Sequence, residues 1–209
     1  MTTSTSTATT RRRSRLTPTS DERGRLRTVV ADTSALISLG VPRAEADYDT
    51  DTVPDPLQYL LTPCDVSVPP EVVLELQDLT QYRDIHGAAA TNVLAARDHY
   101  TVEDPYERDE TPDSRPTFGL DDGETDGIIL ANALGVDGFL TDEFGSTNFA
   151  LVHAALQGPR IVPTPRLLCD YARNGHMTAE AARRLITTIS SHRSWENSPY
   201  VAQLLAHLE

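Results

Sequence analysis

The sequence predicts a three-layer α/β/α domain with a central parallel sheet. Short apolar and β-branched segments alternate with segments of helical periodicity along most of the chain. Strands that alternate with helices form a parallel sheet covered on both faces. The predicted strands lie at residues 28–31, 65–68, 99–103, 138–141 and 160–162.

Helix-start and helix-stop signals divide the segments between these strands. The first strand ends on Asp32, and a helix follows it. An acidic, proline-bearing insert at 41–56 precedes a short helix, and Pro70 suits the first turn of a helix that runs to about Thr80. A charged, proline-containing loop up to about Gly119 is long enough to be a lid or a substrate loop. The predicted helices lie at 56–61, 70–80, 83–98 and 122–134, with a further one that ends near residue 156.

The C-terminal segment carries helix signals and no strand signal. Asn174-Gly175 ends one helix, Thr178 caps the next, and Ser198-Pro199 begins the last. We therefore predict three regions. They are a disordered tail at 1–27, an α/β domain at 28–165 and a helical extension at 166–209, with extension helices near 164–174, 178–190 and 198–208.

Composition sets the cellular context. The 209 residues hold 39 % hydrophobic residues, enough for one domain core, and no apolar run approaches the roughly 18 residues of a membrane span. No secretion signal is visible, and Cys64 and Cys169 lack a partner at metal-ligand spacing, so we expect a cytoplasmic protein. The net charge is −13, and all 18 basic residues are arginine. Such a chain is expected of a halophile, because molar salt screens self-repulsion; an acidic protein of a GC-rich genome is the alternative.

The predicted tail has the opposite charge from the rest. Residues 1–27 hold seven arginines against Asp21 and Glu22, a net of +5, so the remainder carries −13 − 5 = −18. Few large apolar residues occur there to offset the entropy of ordering. Two interpretations are open: a basic arm that tethers nucleic acid, or a segment without a role, either an untethered tail or the product of a wrongly assigned start codon.

Two acids mark the ends of predicted strands. Asp32 follows the first strand and Asp142 the fourth, 110 residues apart. Open parallel sheets bind ligands at the carboxyl ends of their strands, so the fold would bring these side chains together. A single Asp at a strand end is also a common helix N-cap. A catalytic role is favoured only because further acidic residues are present.

Further acids lie on two helices. Glu75 adjoins the apolar stripe of Val72, Leu76 and Leu79, so we expect its carboxylate in a half-buried crevice. Asp126, in the first turns of the helix at 122–134, is expected to line the same crevice.

Glu124 has two interpretations. Asp121 and Glu124 fit a capping box, which is a sufficient structural role. About 200° of helix separates Glu124 from Asp126, yet an irregular first turn could direct both inward. Glu124 is then a further candidate metal ligand.

Crowded carboxylates predict a metal site. Four acids together resist ionisation unless divalent cations neutralise them, and oxygen-only ligation selects Mg²⁺ or Mn²⁺. Such an ion would activate a water for in-line attack on a phosphodiester. The predicted catalytic residues are Asp32, Glu75, Asp126 and Asp142, and the predicted metal ligands are Asp32, Asp126 and Asp142 with Glu124 as the further candidate.

The order and spacing of these acids resemble the PIN-domain family of metal-dependent nucleases over about residues 28–165. The resembling motifs are Val29-Val30-Ala31-Asp32-Thr33-Ser34, Pro70-Glu71-Val72-Val73-Leu74-Glu75, the segment 126–135 that begins with Asp126, and Leu140-Thr141-Asp142-Glu143-Phe144. Gly123-Glu124 and the helical C-terminus also resemble a subgroup of prokaryotic PIN proteins.

This resemblance implies a PIN-like fold and a Mg²⁺- or Mn²⁺-dependent endoribonuclease that cleaves single-stranded RNA and leaves 5′-phosphate and 3′-hydroxyl ends. It also implies a homodimer, as in the toxins of the family. A toxin with an antitoxin-like protein partner is one alternative, although the chain is longer than such toxins. Arginines would flank the RNA groove, drawn from Arg83, Arg97, Arg108, Arg115 and Arg166.

Two alternatives belong to other classes of protein. One is a catalytically idle PIN fold that serves as a scaffold for RNA or protein. The other is a nucleotide-binding module, which the sequence disfavours because no Gly-x-Gly-x-x-Gly follows the first strand and no Gly-Lys-Ser/Thr loop occurs.

Overall fold

Five parallel strands form the centre of the computed structural model, which describes residues 26–49, 51, 53–108, 111–144 and 148–208. The strand order is β3-β2-β1-β4-β5. Val29 pairs with Val66 on one side of β1 and with Gly138 on the other. The strands are β1 Thr28–Ala31, β2 Asp65–Val68, β3 Thr101–Val102, β4 Gly138–Leu140 and β5 Arg160–Val162.

The chain reverses its direction of travel across the sheet between β3 and β4. From β1 the chain adds β2 and then β3, which forms one edge of the sheet. Strand β4 then pairs with the other side of β1. A crevice at the carboxyl ends of β1 and β4 is the expected ligand position of such a sheet. Asp32 follows β1, and its backbone N–H donates to Leu140 O of β4 at 2.9 Å.

Helices cover both faces of the sheet. Val29 and Ala31 of β1 face the larger apolar core, whereas Val30 between them faces a smaller core with Ile128 and Phe139. This alternation follows from the two-residue repeat of a strand. The larger core is covered by α1 Thr33–Ala44, α2 Pro56–Leu61, α3 Pro70–Leu79, α4 Ile85–Ala95 and the C-terminal helices, and the smaller by α5 Asp122–Leu134 and α6 Asn148–Ala155.

The C-terminal extension is helical and packs on the α/β part. It consists of α7 Thr164–Arg173, α8 Ala179–Arg193 and α9 Pro199–Ala206. Leu185 and Ile189 of α8 and Leu204 of α9 belong to the same buried core as β1. The extension therefore shares a core with the sheet. The three-layer α/β/α fold with a helical extension, predicted from the sequence, is confirmed.

Three details differ from the sequence prediction. Helix α1 continues through Val41 and Pro42 to Ala44, into the predicted insert, because both residues are buried and Pro42 lies in the last turn, where it interrupts little of the helix. Strand β3 is only two residues long. Leu26 and Arg27, predicted as tail, contact the fold: Leu26 packs on the core, and Arg27 N donates to Asp137 Oδ2 at 2.8 Å.

The remaining predicted tail, residues 1–25, lies outside the described residues. Among the helices of the described ranges, none is long and apolar enough to cross a bilayer.

Candidate active site

Asp32 lies where β1 turns into α1 and is almost fully buried. Its side chain caps α1: Ser34 N donates to Oδ1 at 3.2 Å and Ser34 Oγ to Oδ2 at 2.8 Å. Ser34 Oγ in turn accepts from the backbone N–H of Asp142 at 3.0 Å. Ser34 thus connects the ends of the two central strands. Burial raises the pKa of Asp32, and the hydrogen bonds from Ser34 only partly offset this.

Asp142 follows β4, and its carboxylate accepts hydrogen bonds from the first helix of the extension. Thr164, the first residue of α7, donates to its carboxylate from the backbone N–H at 2.7 Å and from Oγ1 at 2.9 Å. Burial raises the pKa of Asp142 to about 6, against the effect of these bonds. The side chain therefore joins β4 to α7.

Glu75 lies on α3 at the position that the apolar stripe predicts. Val72 and Leu76 are fully buried, and Glu75 beside them is half-buried, with its Oε2 accepting from Thr33 Oγ1. Burial raises the pKa of Glu75 to about 7, and the nearby Asp121 and Asp32 raise it further. The carboxylate touches Gly123 of α5, where a Cβ atom would lie 2.9 Å from Glu75 Cδ. Glycine at 123 thus permits the close approach of α3 and α5.

Glu124 is the most unusual acid of the site. Only 2 % of its surface is exposed, and neither carboxylate oxygen has a hydrogen-bond partner among the described residues. Burial raises the pKa of Glu124 to about 8, with further contributions from Asp32, Asp121 and Glu143. Half of the predicted capping box is present, since Glu124 N donates to Asp121 Oδ1 at 2.8 Å. The Glu124 side chain takes no part in the cap.

Asp126, predicted as a catalytic residue and metal ligand, points elsewhere. Arg115 donates to its carboxylate from Nε at 2.8 Å and from Nη2 at 2.6 Å, and Tyr106 Oη donates at 2.6 Å. Its donors come from the loop between β3 and α5. A regular first turn explains the difference, because about 200° of helix separates Asp126 from Glu124.

A cavity of about 400 Å³ opens at the carboxyl ends of β1 and β4. Among the predicted acids, Asp32, Glu75 and Glu124 line it, whereas Asp126 and Asp142 do not. Asp142 is buried and accepts hydrogen bonds from Thr164 instead. The described residues that line it are Asp32, Thr33, Ser34, Ile37, Glu75, Leu79, His86, Asp121, Glu124, Glu143 and Arg193.

Several of these lining residues carry no signal in the sequence. Asp121 looks like a solvated helix cap and His86 like a surface histidine, and the capping role of Asp121 is present as well. Glu143 follows Asp142 in the fourth acidic motif, which is the one hint to its position. Arg193 comes from the end of α8, 50 residues after Glu143, the last acid of the cavity.

The cavity offers donor atoms of the kind that bind a divalent cation. Their positions in this structure, however, do not form a set of metal ligands. The available donors are carboxylate oxygens, which suit Mg²⁺ or Mn²⁺, and Glu124 holds two buried oxygens without a partner. In the described part of the chain, however, no three Asp, Glu, His or Cys side chains are arranged to share one metal ion. Asp32 and Glu75 are instead held by Ser34 and Thr33.

Four of the five arginines predicted to flank an RNA groove are engaged. Arg97 donates to Tyr100 O, Arg108 pairs with Glu103, and Arg166 pairs with Asp170. Arg115 binds Asp126 as described. These contacts stabilise loops and helix turns.

Comparison of the chain with family models, with curated protein sequences and with solved structures gave no match.

Proposed function

We propose that this protein is a Mg²⁺- or Mn²⁺-dependent endoribonuclease of the PIN type, whose active site is the acidic cavity at the ends of β1 and β4. The observation that carries the proposal is Glu124, a carboxylate buried to 98 % with both oxygens unpartnered in the described structure, beside Asp32 and Glu75. Burying an ionised carboxylate without a partner costs several kcal/mol, which is why the pKa of Glu124 is raised; a bound cation would offset this cost and keep the carboxylate ionised.

Asp32, Glu75 and Glu124 are the residues that would hold the ion. When bound, a divalent cation supplies positive charge at the phosphate and an activated water. The site acid proposed on α5 is thus Glu124, because Asp126 is neutralised by Arg115. Asp142 becomes a positioning residue that fixes the end of β4 against α7.

Hydroxyl groups of the chain hold the acids in place. Ser34 donates to Asp32 and Thr33 to Glu75, so each carboxylate has a hydrogen bond that favours its present position. His86 of α4 also lines the cavity and is the candidate proton donor to a leaving group.

The second candidate is the idle scaffold, and two observations favour it. The carboxylate of Asp126 is paired with Arg115. In addition, no three potential metal ligands among the described residues are placed so that they could bind one ion. A scaffold of this kind would bind RNA or protein at the same crevice without cleaving.

Cleavage assays separate the two functions. Labelled single-stranded RNAs are incubated with protein and Mn²⁺, and products are resolved on gels. We expect cleavage by the wild type and a loss of at least about 100-fold in Asp32→Asn and Glu124→Gln, since each removes a negative ligand of the cation that would stabilise the charge developing on the phosphate.

Asp126→Asn is the matched control on the same helix. It keeps the shape of the side chain and should retain most of the cleavage of a folded enzyme. Absence of Mn²⁺-dependent cleavage by the wild type across a panel of RNAs would establish the scaffold instead. Loss of cleavage in Asp126→Asn with full activity in Glu124→Gln would return the role to Asp126.

A further inference from the structure

Arg193 brings a positive charge into the acidic cavity from the C-terminal extension. It is the last residue of α8, and it lines the cavity with Asp32, Glu124 and Glu143. Its Nε is buried and has no hydrogen-bond acceptor in the described residues. Its positive charge lowers the pKa of Asp142, which places the guanidinium close to the end of β4.

The acids around the guanidinium of Arg193 leave it available for another ligand. No carboxylate in the described ranges forms a salt bridge with Arg193. The acids nearby are held by other donors: Ser34 holds Asp32 and Thr164 holds Asp142. Arg193 therefore keeps hydrogen-bond donors for a group that enters the cavity.

Aromatic packing fixes the position of Arg193. Ser194 ends α8 in the left-handed conformation, with φ of 58°. The chain then turns so that Trp195 packs on Phe144, with ring centroids 5.3 Å apart, and Tyr200 packs on the same ring at 5.0 Å. Phe144 is two residues after Asp142, so this cluster ties the end of α8 to the end of β4.

Charge and shape indicate what the guanidinium would bind. Five acidic side chains line the cavity against one arginine, so with every acid ionised, as a bound cation would favour, these groups sum to −5 + 1 = −4 before the cation is counted. A phosphodiester would be repelled from such a cavity unless a fixed cation received it. The planar fork of arginine binds two phosphate oxygens at once, which a lysine cannot do.

We propose that Arg193 binds the non-bridging oxygens of the RNA phosphate at the cleavage position, so that the C-terminal extension supplies a substrate-binding residue to the active site. This inference rests on the proposed nuclease function.

RNA affinity and its salt dependence test the inference. The measurements use the full chain with Glu124→Gln, which prevents cleavage, a fluorescent single-stranded RNA and Mn²⁺. Adding Arg193→Met should weaken binding about tenfold and flatten the slope of log affinity against log salt by about 0.7, the value for one phosphate contact of a single strand. Arg184→Met is the matched control on α8, where the side chain is 55 % exposed and pairs with Glu180. It should change neither quantity.

Arg193→Lys separates phosphate binding from simple charge balance, and it keeps the test valid if the methionine variant does not fold. Lysine preserves the charge beside Asp142 but not the fork. A phosphate contact predicts a loss of several-fold in affinity, and KM for cleavage in the otherwise wild-type chain should rise. Charge balance alone predicts wild-type affinity in Arg193→Lys, and that result would overturn the inference.

The outcomes also separate this inference from the nuclease proposal. If the wild type cleaves RNA and the Arg193 variants bind RNA like Arg184→Met, only the inference about Arg193 fails. If the wild type does not cleave, yet Arg193→Met weakens RNA binding with the reduced salt slope, the nuclease proposal fails and the phosphate contact stands. If the wild type neither cleaves nor binds RNA, both are overturned.

Discussion

Arg115 binds Asp126 through two parallel hydrogen bonds, from Nε to Oδ1 at 2.8 Å and from Nη2 to Oδ2 at 2.6 Å. The same guanidinium also pairs with Asp122 and lies 3.6 Å from Glu71 of α3. One arginine of the long loop thus neutralises acids of two helices. This occupies Asp126, one of the three acids that the sequence predicted as metal ligands.

Arg115→Met should destabilise the protein by on the order of 2 kcal/mol, because it leaves the buried Asp126 charge without its main partner. Asp126→Asn in the same chain should recover part of that loss, since an amide costs less to bury than an unpaired carboxylate. Urea unfolding of the wild type, both single variants and the double variant gives the coupling energy. Additive effects of the two substitutions would show that the pair contributes nothing to stability.

In the absence of divalent metal, stability should fall as pH rises from about 4.5 to about 8. The pKa is raised to about 7 for Glu75 and to about 8 for Glu124, so in this window the native state binds more protons than the unfolded state. Below the ordinary pKa of glutamate both states are protonated, and the effect vanishes. Thermal melts in EDTA across this range measure it. In Glu124→Gln the dependence should be shallower, and an equal slope in this variant would exclude Glu124 as its source.

Mn²⁺ should stabilise the native state. At a free concentration about 100 times Kd the gain is about 2.7 kcal/mol, which corresponds to a rise in Tm of roughly 5–10 °C for a chain of this size. Melts with Mn²⁺ and with EDTA, at one fixed KCl concentration, report the gain. Asp32→Asn should lose most of it. A wild type that melts identically in both solutions, without heat of Mn²⁺ binding in titration calorimetry, would contradict the metal site.

Two glycines of α5 should respond differently to alanine. At Gly123 the added Cβ meets the end of the flexible Glu75 side chain, which can move, so Gly123→Ala should impair cleavage and leave stability nearly unchanged. At Gly127 the added Cβ lies 2.8 Å from the ring of Phe139 in the smaller core. Gly127→Ala should therefore cost about 1–3 kcal/mol of stability. Cleavage assays and urea unfolding of both variants make the comparison, and normal cleavage by Gly123→Ala would argue against a catalytic Glu75.

Local signals explain why much of the fold could be predicted. The bounds of α5 follow from its Asp121 cap and from Gly135, which ends the helix at φ of 60°. The junctions of β1 with α1 and of β4 with the following loop follow from buried runs that end on an acid. The prediction of an insert from residue 41 is wrong at Pro42, because tertiary burial extends α1 past a residue that usually ends a helix.

The identity of the cavity acid on α5 could not be predicted, for a physical reason. Every residue from Gly123 to Ala131 is buried, so α5 has no apolar stripe from which the direction of Glu124 or Asp126 could be inferred. Arg115, in an irregular loop, decides which acid is neutralised. Arg193 is likewise brought to the cavity by packing between distant segments. RNA cleavage, homodimer formation, an antitoxin-like partner, the halophilic source and a cytoplasmic location stay predictions.

The shared core of sheet and extension has a consequence for synthesis of the chain. The last acid of the cavity, Glu143, is made 193 − 143 = 50 residues before Arg193. At about 5–20 residues per second this interval lasts roughly 3–10 s, during which the surface of α1 that α8 later covers has no partner. A nascent chain on the ribosome therefore holds all the acids but an incomplete cavity. Any activity that depends on Arg193 begins only after α8 has been made and has packed on the rest of the fold.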